Sequence, residues 1–146
     1  MQERKLMELA EAAGTIAIVG HVRPDGDCVG SCLAVCNYIT EQYPEKTVDV
    51  YLETPPVKFS YLKQFERICS DPETGKQYDL CICLDSGDRE RLGKNVVYLD
   101  TAKTSICIDH HITNQGYAAA NFVKADASAT CEPVSYTHLR AHETRR

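Results

Sequence analysis

The sequence predicts an α/β fold of the Rossmann-like, doubly wound kind: a mainly parallel sheet with helices on its faces. Three observations predict it. Short apolar runs alternate with helix-period stretches, the signature of βαβ units. Three of those runs, at residues 16–19, 79–84 and 105–108, each lead straight into Asp or His: His21, Asp25 and Asp27, then Asp85 and Asp88, then Asp109, His110 and His111. In a parallel sheet the carboxyl ends of the strands lie at one end of the sheet, so the three groups converge on one crevice, where such folds bind ligands.

Residues 3–13 read as an amphipathic helix with Leu6, Met7, Leu9, Ala10 and Ala13 apolar and Gly14 as its stop. Strand 16–19 follows, then the tight turn Pro24-Asp25-Gly26. Asp27 there serves equally as a ligand or as the cap of a helix over 28–42, on which Cys28, Cys32 and Cys36 share one face. Residues 47–52, TVDVYL, alternate as a strand does, and Pro55-Pro56 ends it. The spacing predicts a helix over 57–68 burying Phe59, Leu62, Phe65 and Ile68. Residues 71–77 read as a surface loop, 89–93 as one helical turn closed by Gly93, and 95–99 as a short strand or a helix end. Residues 120–123 read as an edge strand, and Ser128 as the cap of a further helix.

At 146 residues the chain is long enough for one domain with a real core. No apolar run approaches a membrane span, and the charged N-terminus does not suit a signal peptide, so a cytoplasmic protein with no membrane partner is expected. The eight cysteines include no C-x-x-C pair, which argues against thiolate zinc, and most read as small buried hydrophobes. A net charge of −5 argues against long duplex nucleic acid, whose binders carry basic stripes. A small phosphate met through bound cations raises no such objection. No G-x-G-x-x-G occurs, so no dinucleotide cofactor is indicated.

H-x-x-P-D-G-D-x-x-G-S at 21–31, L-D-S-G-D at 84–88, D-H-H-x-x-N at 109–114 and S-A-T-C-E at 128–132 stand in order across residues 15–132. Together they resemble the four motifs of the DHH phosphoesterases, and their spacing is most similar to the oligoribonuclease and 3′-phosphoadenosine 5′-phosphate phosphatase branch. The resemblance implies one metal ion on His21, Asp25 and Asp85 and a second on Asp27, Asp85 and His110, with Asp85 bridging. It implies catalytic roles for His111, at the substrate phosphate or in proton transfer, and for Asp109, which would orient a histidine. Asn114, Ser128 and Thr130 match positions around the family's substrate cleft.

The implied activity is hydrolysis of short single-stranded oligoribonucleotides and small nucleotides by water attack on phosphorus between two metal ions. Imidazole mixed with carboxylate suits Mn²⁺ better than Mg²⁺, the alternative ion. A homodimer is compatible with the resemblance. Other expectations are a cyclic-dinucleotide phosphodiesterase or a manganese pyrophosphatase among enzymes, and a metal-binding fragment or an acidic-pocket regulatory domain among non-enzymes. His21 and His110 discriminate the last, which binds Mg²⁺ without histidines.

Residues 134–146 carry three arginines and no apolar periodicity, and are expected to be a non-native tail beyond a catalytic domain over 1–133. His138 and His142 in it lie at i, i+4 but have no third ligand nearby. The resemblance implies a further metal-binding Asp and a DHH-associated substrate domain beyond this point. Neither is expected in this chain, which alone is therefore expected to be inactive.

Overall fold

A computed structural model describes residues 2–71 and 75–124. Within them the chain runs α1 (Gln2–Ala12), β1 (Thr15–Gly20), α2 (Gly26–Gln42), β2 (Thr47–Tyr51), β3 (Ile68–Cys69), β4 (Leu80–Leu84), α3 (Val96–Thr101), β5 (Thr104–Asp109) and β6 (Ala120–Val123). Single 3₁₀ turns lie at Val57–Phe59 and Phe65–Arg67, and a longer one at Glu90–Asn95. The expected cap at Ser128, the cleft position Thr130 and the tail 134–146 all lie outside the described residues.

The strands form one sheet in the order β3-β2-β1-β4-β5-β6, and every neighbouring pair is parallel. This is the doubly wound α/β class that the alternation predicts. Both faces of such a sheet are covered, which is why the strands read as continuous apolar runs rather than alternating ones. Ile16, Ile18, Leu80, Ile82, Leu84, Ile106 and Ile108 point to the face covered by α1 and α2. The predicted cysteine stripe of α2 is buried there beside Val29, Leu33 and Ile39. Each large aliphatic chain so buried contributes about 1.5–3 kcal/mol.

The opposite face takes Ala17, Val19, Cys81 and Cys83, and is covered by Leu92 and a tyrosine group. Tyr51 and Tyr98 stack with ring centroids 4.1 Å apart, and the Tyr78 hydroxyl donates to Asp49 Oδ2 at 2.6 Å. At the amino ends of the strands, Asp79 Oδ2 accepts from the Gly14 amide at 2.9 Å and the Thr15 amide at 3.3 Å. Strand order reverses between β1 and β4: the chain leaves β1 toward β2 on one side and continues from β4 toward β6 on the other. That reversal opens the crevice at the carboxyl ends of β1 and β4.

Two local expectations are corrected. The helix over 57–68 does not form, because Gln64 takes a left-handed backbone (φ 72°) between two isolated 3₁₀ turns. Ile68 is instead drawn into the sheet beside Val50. Its aromatic and aliphatic side chains still pack on the α1/α2 core, so the apolar spacing reports burial and not helix. Gly93 closes the turn that begins at Arg89, as expected: with φ 60° it leaves the helical region where a Cβ would strike Val22, and the chain continues through Asn95 into α3. Residues 95–99 thus enter a helix. The cap of α2 is Asp25 rather than Asp27, its Oδ1 accepting from the Cys28 amide at 3.0 Å.

Candidate metal centre

Register brings the three loops together. Gly20 is aligned with Leu84, and Leu84 with Ile108, so His21, Asp85 and Asp109 emerge side by side on strands about 4.8 Å apart. All three are buried: His21 is 5 % exposed, Asp85 3 % and Asp109 0 %. The loop after β1 is pinned by the Val22 amide, which donates to the Arg91 carbonyl at 2.7 Å. Its Arg23 amide donates to Glu53 Oε1 at 2.8 Å.

Asp85 is the hub of the cluster. Its Oδ2 lies 3.1 Å from His21 Nε2, and its Oδ1 lies 3.4 Å from His110 Nε2. Each imidazole has a second carboxylate: Asp25 Oδ1 stands 3.7 Å from His21 Nε2, and Asp27 Oδ2 stands 3.7 Å from His110 Nε2. The Ser31 hydroxyl donates to the other oxygen of Asp27 at 3.4 Å. His21, Asp25, Asp27, Asp85 and His110 are therefore gathered in two lobes that share one carboxylate.

Charge explains what such a cluster wants. Two carboxylates about 4 Å apart repel by about 4 kcal/mol at an effective dielectric of 20, so three on one rim call for cations between them. The Asp85 hydrogen bond, reinforced by the Cys28 thiol, raises the His21 pKa to about 11. A proton therefore serves as counter-charge in the ion-free chain. His21 Nδ1 lies 2.6 Å from the Val22 carbonyl and donates to it, which leaves Nε2 aimed at the carboxylates. Hard oxygen and imidazole nitrogen donors that lie 3.1–3.7 Å from their neighbours, with no thiolate needed, fit divalent ions of the Mn²⁺ or Mg²⁺ type.

His111 and Asp109 adjoin the cluster: one ligand atom each of Asp85, Asp109, His110 and His111 lie within 4.8 Å of one another. His111 Nδ1 donates to Asp109 Oδ1 at 2.6 Å, and its ring lies 4.5 Å from that of His110. Asp109 takes a second donor on Oδ2, the Asn114 amide at 2.9 Å. Asn114, half-buried, thus meets Asp109 through its side-chain amide. Asp88 caps the following 3₁₀ turn by accepting from the Arg91 amide at 2.9 Å. Arg89 is engaged by Asp100 at 2.6 Å.

Two neighbours of the cluster escape sequence reasoning. Cys28 offers its sulfur within 4.8 Å of ligand atoms of His21 and Asp85, and only its place directly after Asp27 hints at this. Tyr117 donates its hydroxyl to the Ser86 carbonyl at 2.9 Å, in the turn that carries Asp85. No spacing in the sequence marks it.

The family model for the DHH family, N-terminal domain, matches residues 15–145. The chain is 30% identical over 132 residues to the probable bifunctional oligoribonuclease and PAP phosphatase NrnA of Streptococcus mutans, covering 90% of this chain and 41% of that protein. It is 30% identical over 129 residues to the bifunctional oligoribonuclease and PAP phosphatase NrnA of Bacillus subtilis, covering 88% of this chain and 39% of that protein. The chain thus spans well under half the length of these relatives. An exopolyphosphatase-related protein from Bacteroides fragilis has the same fold, with a TM-score of 0.86 at 24% identity over 95% of this chain and 43% of that one.

Proposed function

The chain belongs to the DHH family, and from that premise we propose that it forms the metal-holding domain of a manganese-dependent phosphoesterase. Its substrates are short oligoribonucleotides and small nucleotide phosphates such as 3′-phosphoadenosine 5′-phosphate. The observation that carries the reading is the shared carboxylate: Asp85 turns one oxygen to His21 at 3.1 Å and the other to His110 at 3.4 Å. In this reading His21, Asp25 and Asp85 hold one ion, and Asp27, Asp85 and His110 hold the other. A pair of ions bound there supplies Lewis acidity toward a water and a phosphoryl oxygen.

The remaining roles fall to the protein. Asp109 keeps the Nδ1 proton of His111 in place, so that Nε2 is presented to the substrate phosphate as a donor or proton carrier. Burial of Asp109 prevents that carboxylate from being solvated away from the imidazole. Asp25 fixes its own position by capping α2, so the same oxygen that faces His21 is held by the Cys28 amide. The names of the curated relatives support the oligoribonucleotide and nucleotide substrates over cyclic dinucleotides or pyrophosphate.

The test has two parts. Manganese titrated calorimetrically into the chain is expected to bind at two ions per chain, and Asp85→Ala is expected to abolish both. In the whole protein that contains this chain, a diribonucleotide is expected to be hydrolysed with Mn²⁺ and spared with a chelator. Faster turnover of pyrophosphate than of the dinucleotide, or no manganese binding, would overturn the proposal.

A further inference from the structure

The backbone at Asp85 lies in the left-handed region at φ 59°. Residues other than glycine are uncommon in that conformation, Asp less so than most, and local hydrogen bonds help to hold it. On one side the restraint is plain: the Asp85 amide donates to the Ile108 carbonyl at 3.1 Å. On the other side the next residue, Ser86, is fully buried, and its carbonyl belongs to the Ser86–Gly87 peptide. That carbonyl is met by the Tyr117 hydroxyl at 2.9 Å and by the Asn114 amide at the longer distance of 3.4 Å. Both donors come from the connection between β5 and β6, and Tyr117 lies beyond the D-H-H-x-x-N run.

We propose that Tyr117 is a positioning residue for the metal centre: by holding the Ser86 carbonyl it fixes the Ser86–Gly87 peptide, one residue beyond Asp85, and through the buried Ser86 restrains the turn that aims the shared carboxylate at His21 and His110. The proposal rests on the reading that Asp85 holds metal. Asn114 extends the same arrangement, since its amide reaches both the Ser86 carbonyl and Asp109, and Asp109 holds His111. The turn that presents Asp85 and the histidine beside it are therefore referred to one segment. Gly87 lies close by, since a Cβ there would stand 3.3 Å from His111 Cβ.

Tyr117→Phe keeps the ring and removes only the hydroxyl. Manganese titrated into the chain and into this variant is expected to bind the variant about tenfold more weakly, the loss usual for a group that orients a ligand. Tyr98→Phe, which removes a hydroxyl from the tyrosine stack on the same face of the sheet, is the control and is expected to leave manganese affinity unchanged. Melting temperatures taken on both variants separate aiming from general support. If Tyr117→Phe melts lower but binds manganese within twofold of the parent, or if Tyr98→Phe weakens binding equally, the positioning role is wrong while the metal reading stands. If the parent chain itself binds no manganese, the metal reading falls and this proposal falls with it.

Discussion

At the scale of single residues, His21 links acidity to ion binding. With its pKa raised to about 11 by Asp85 and then by the Cys28 thiol, the ring is cationic throughout neutral pH when no ion is present. A raised pKa means that the pairing stabilises the ion-free fold fully below the ordinary value of 6.5, and that this stabilisation is lost as pH rises through about 11. A metal needs the neutral ring, so manganese uptake at neutral pH is expected to release a proton, and affinity to climb about tenfold per pH unit. Calorimetry in two buffers of different ionisation enthalpy reads the proton directly. Affinity that is flat across neutral pH would show that His21 is not displaced. Asp25 illustrates a residue whose position was legible and whose second task was not. Capping depends on the φ and ψ of a single residue, which the pattern Asp-Gly-Asp does not reveal.

At the scale of elements, the two ends of the sheet do different work. Gly20 ends β1 where a Cβ would overlap Cys28 Sγ and Leu52 Cδ2. Gly20→Ala is therefore expected to destabilise the fold by about 1–3 kcal/mol through overpacking, read as a lower urea midpoint at unchanged slope. Asp79 sits at the far end, its pKa lowered by the Gly14 amide and then by Lys103 and the Thr15 amide. A lowered carboxylate pKa contributes stability above the ordinary value of 3.8 and loses it as pH falls further. Asp79→Asn is expected to reduce the melting temperature at neutral pH, to blunt the fall on acidification, and to leave manganese affinity unchanged. The central strands were legible because they are apolar runs bounded by polar turns, and the site because each run delivers its ligands at the same end. Residues 57–68 were misread for a physical reason: apolar spacing measures which side chains are buried, and Ile68 gains more from pairing with Val50 than from another helical turn. Asn114 was legible only by resemblance, and its hydrogen bond to the buried Asp109 five residues back is a contact no linear spacing announces.

At the scale of the whole molecule, Asp25, Asp27 and Asp85 crowd carboxylates at one end of the sheet, so in the proposed reading occupancy and folding would be linked. Manganese at a hundredfold excess over its dissociation constant is expected to add about 2.7 kcal/mol of stability, seen as a melting temperature that rises with manganese and returns to its starting value with a chelator. A melting temperature indifferent to manganese would break that link. His21 and Asp85 touch in space but stand 64 residues apart along the chain. On the ribosome, the first loop emerges with His21, Asp25 and Asp27 long before the strands that bring Asp85 and His110 exist. In the proposed reading a half-made polypeptide would carry only part of the ligand set. Metal acquisition would then be a late event in the life of the molecule, waiting on closure of the central strands.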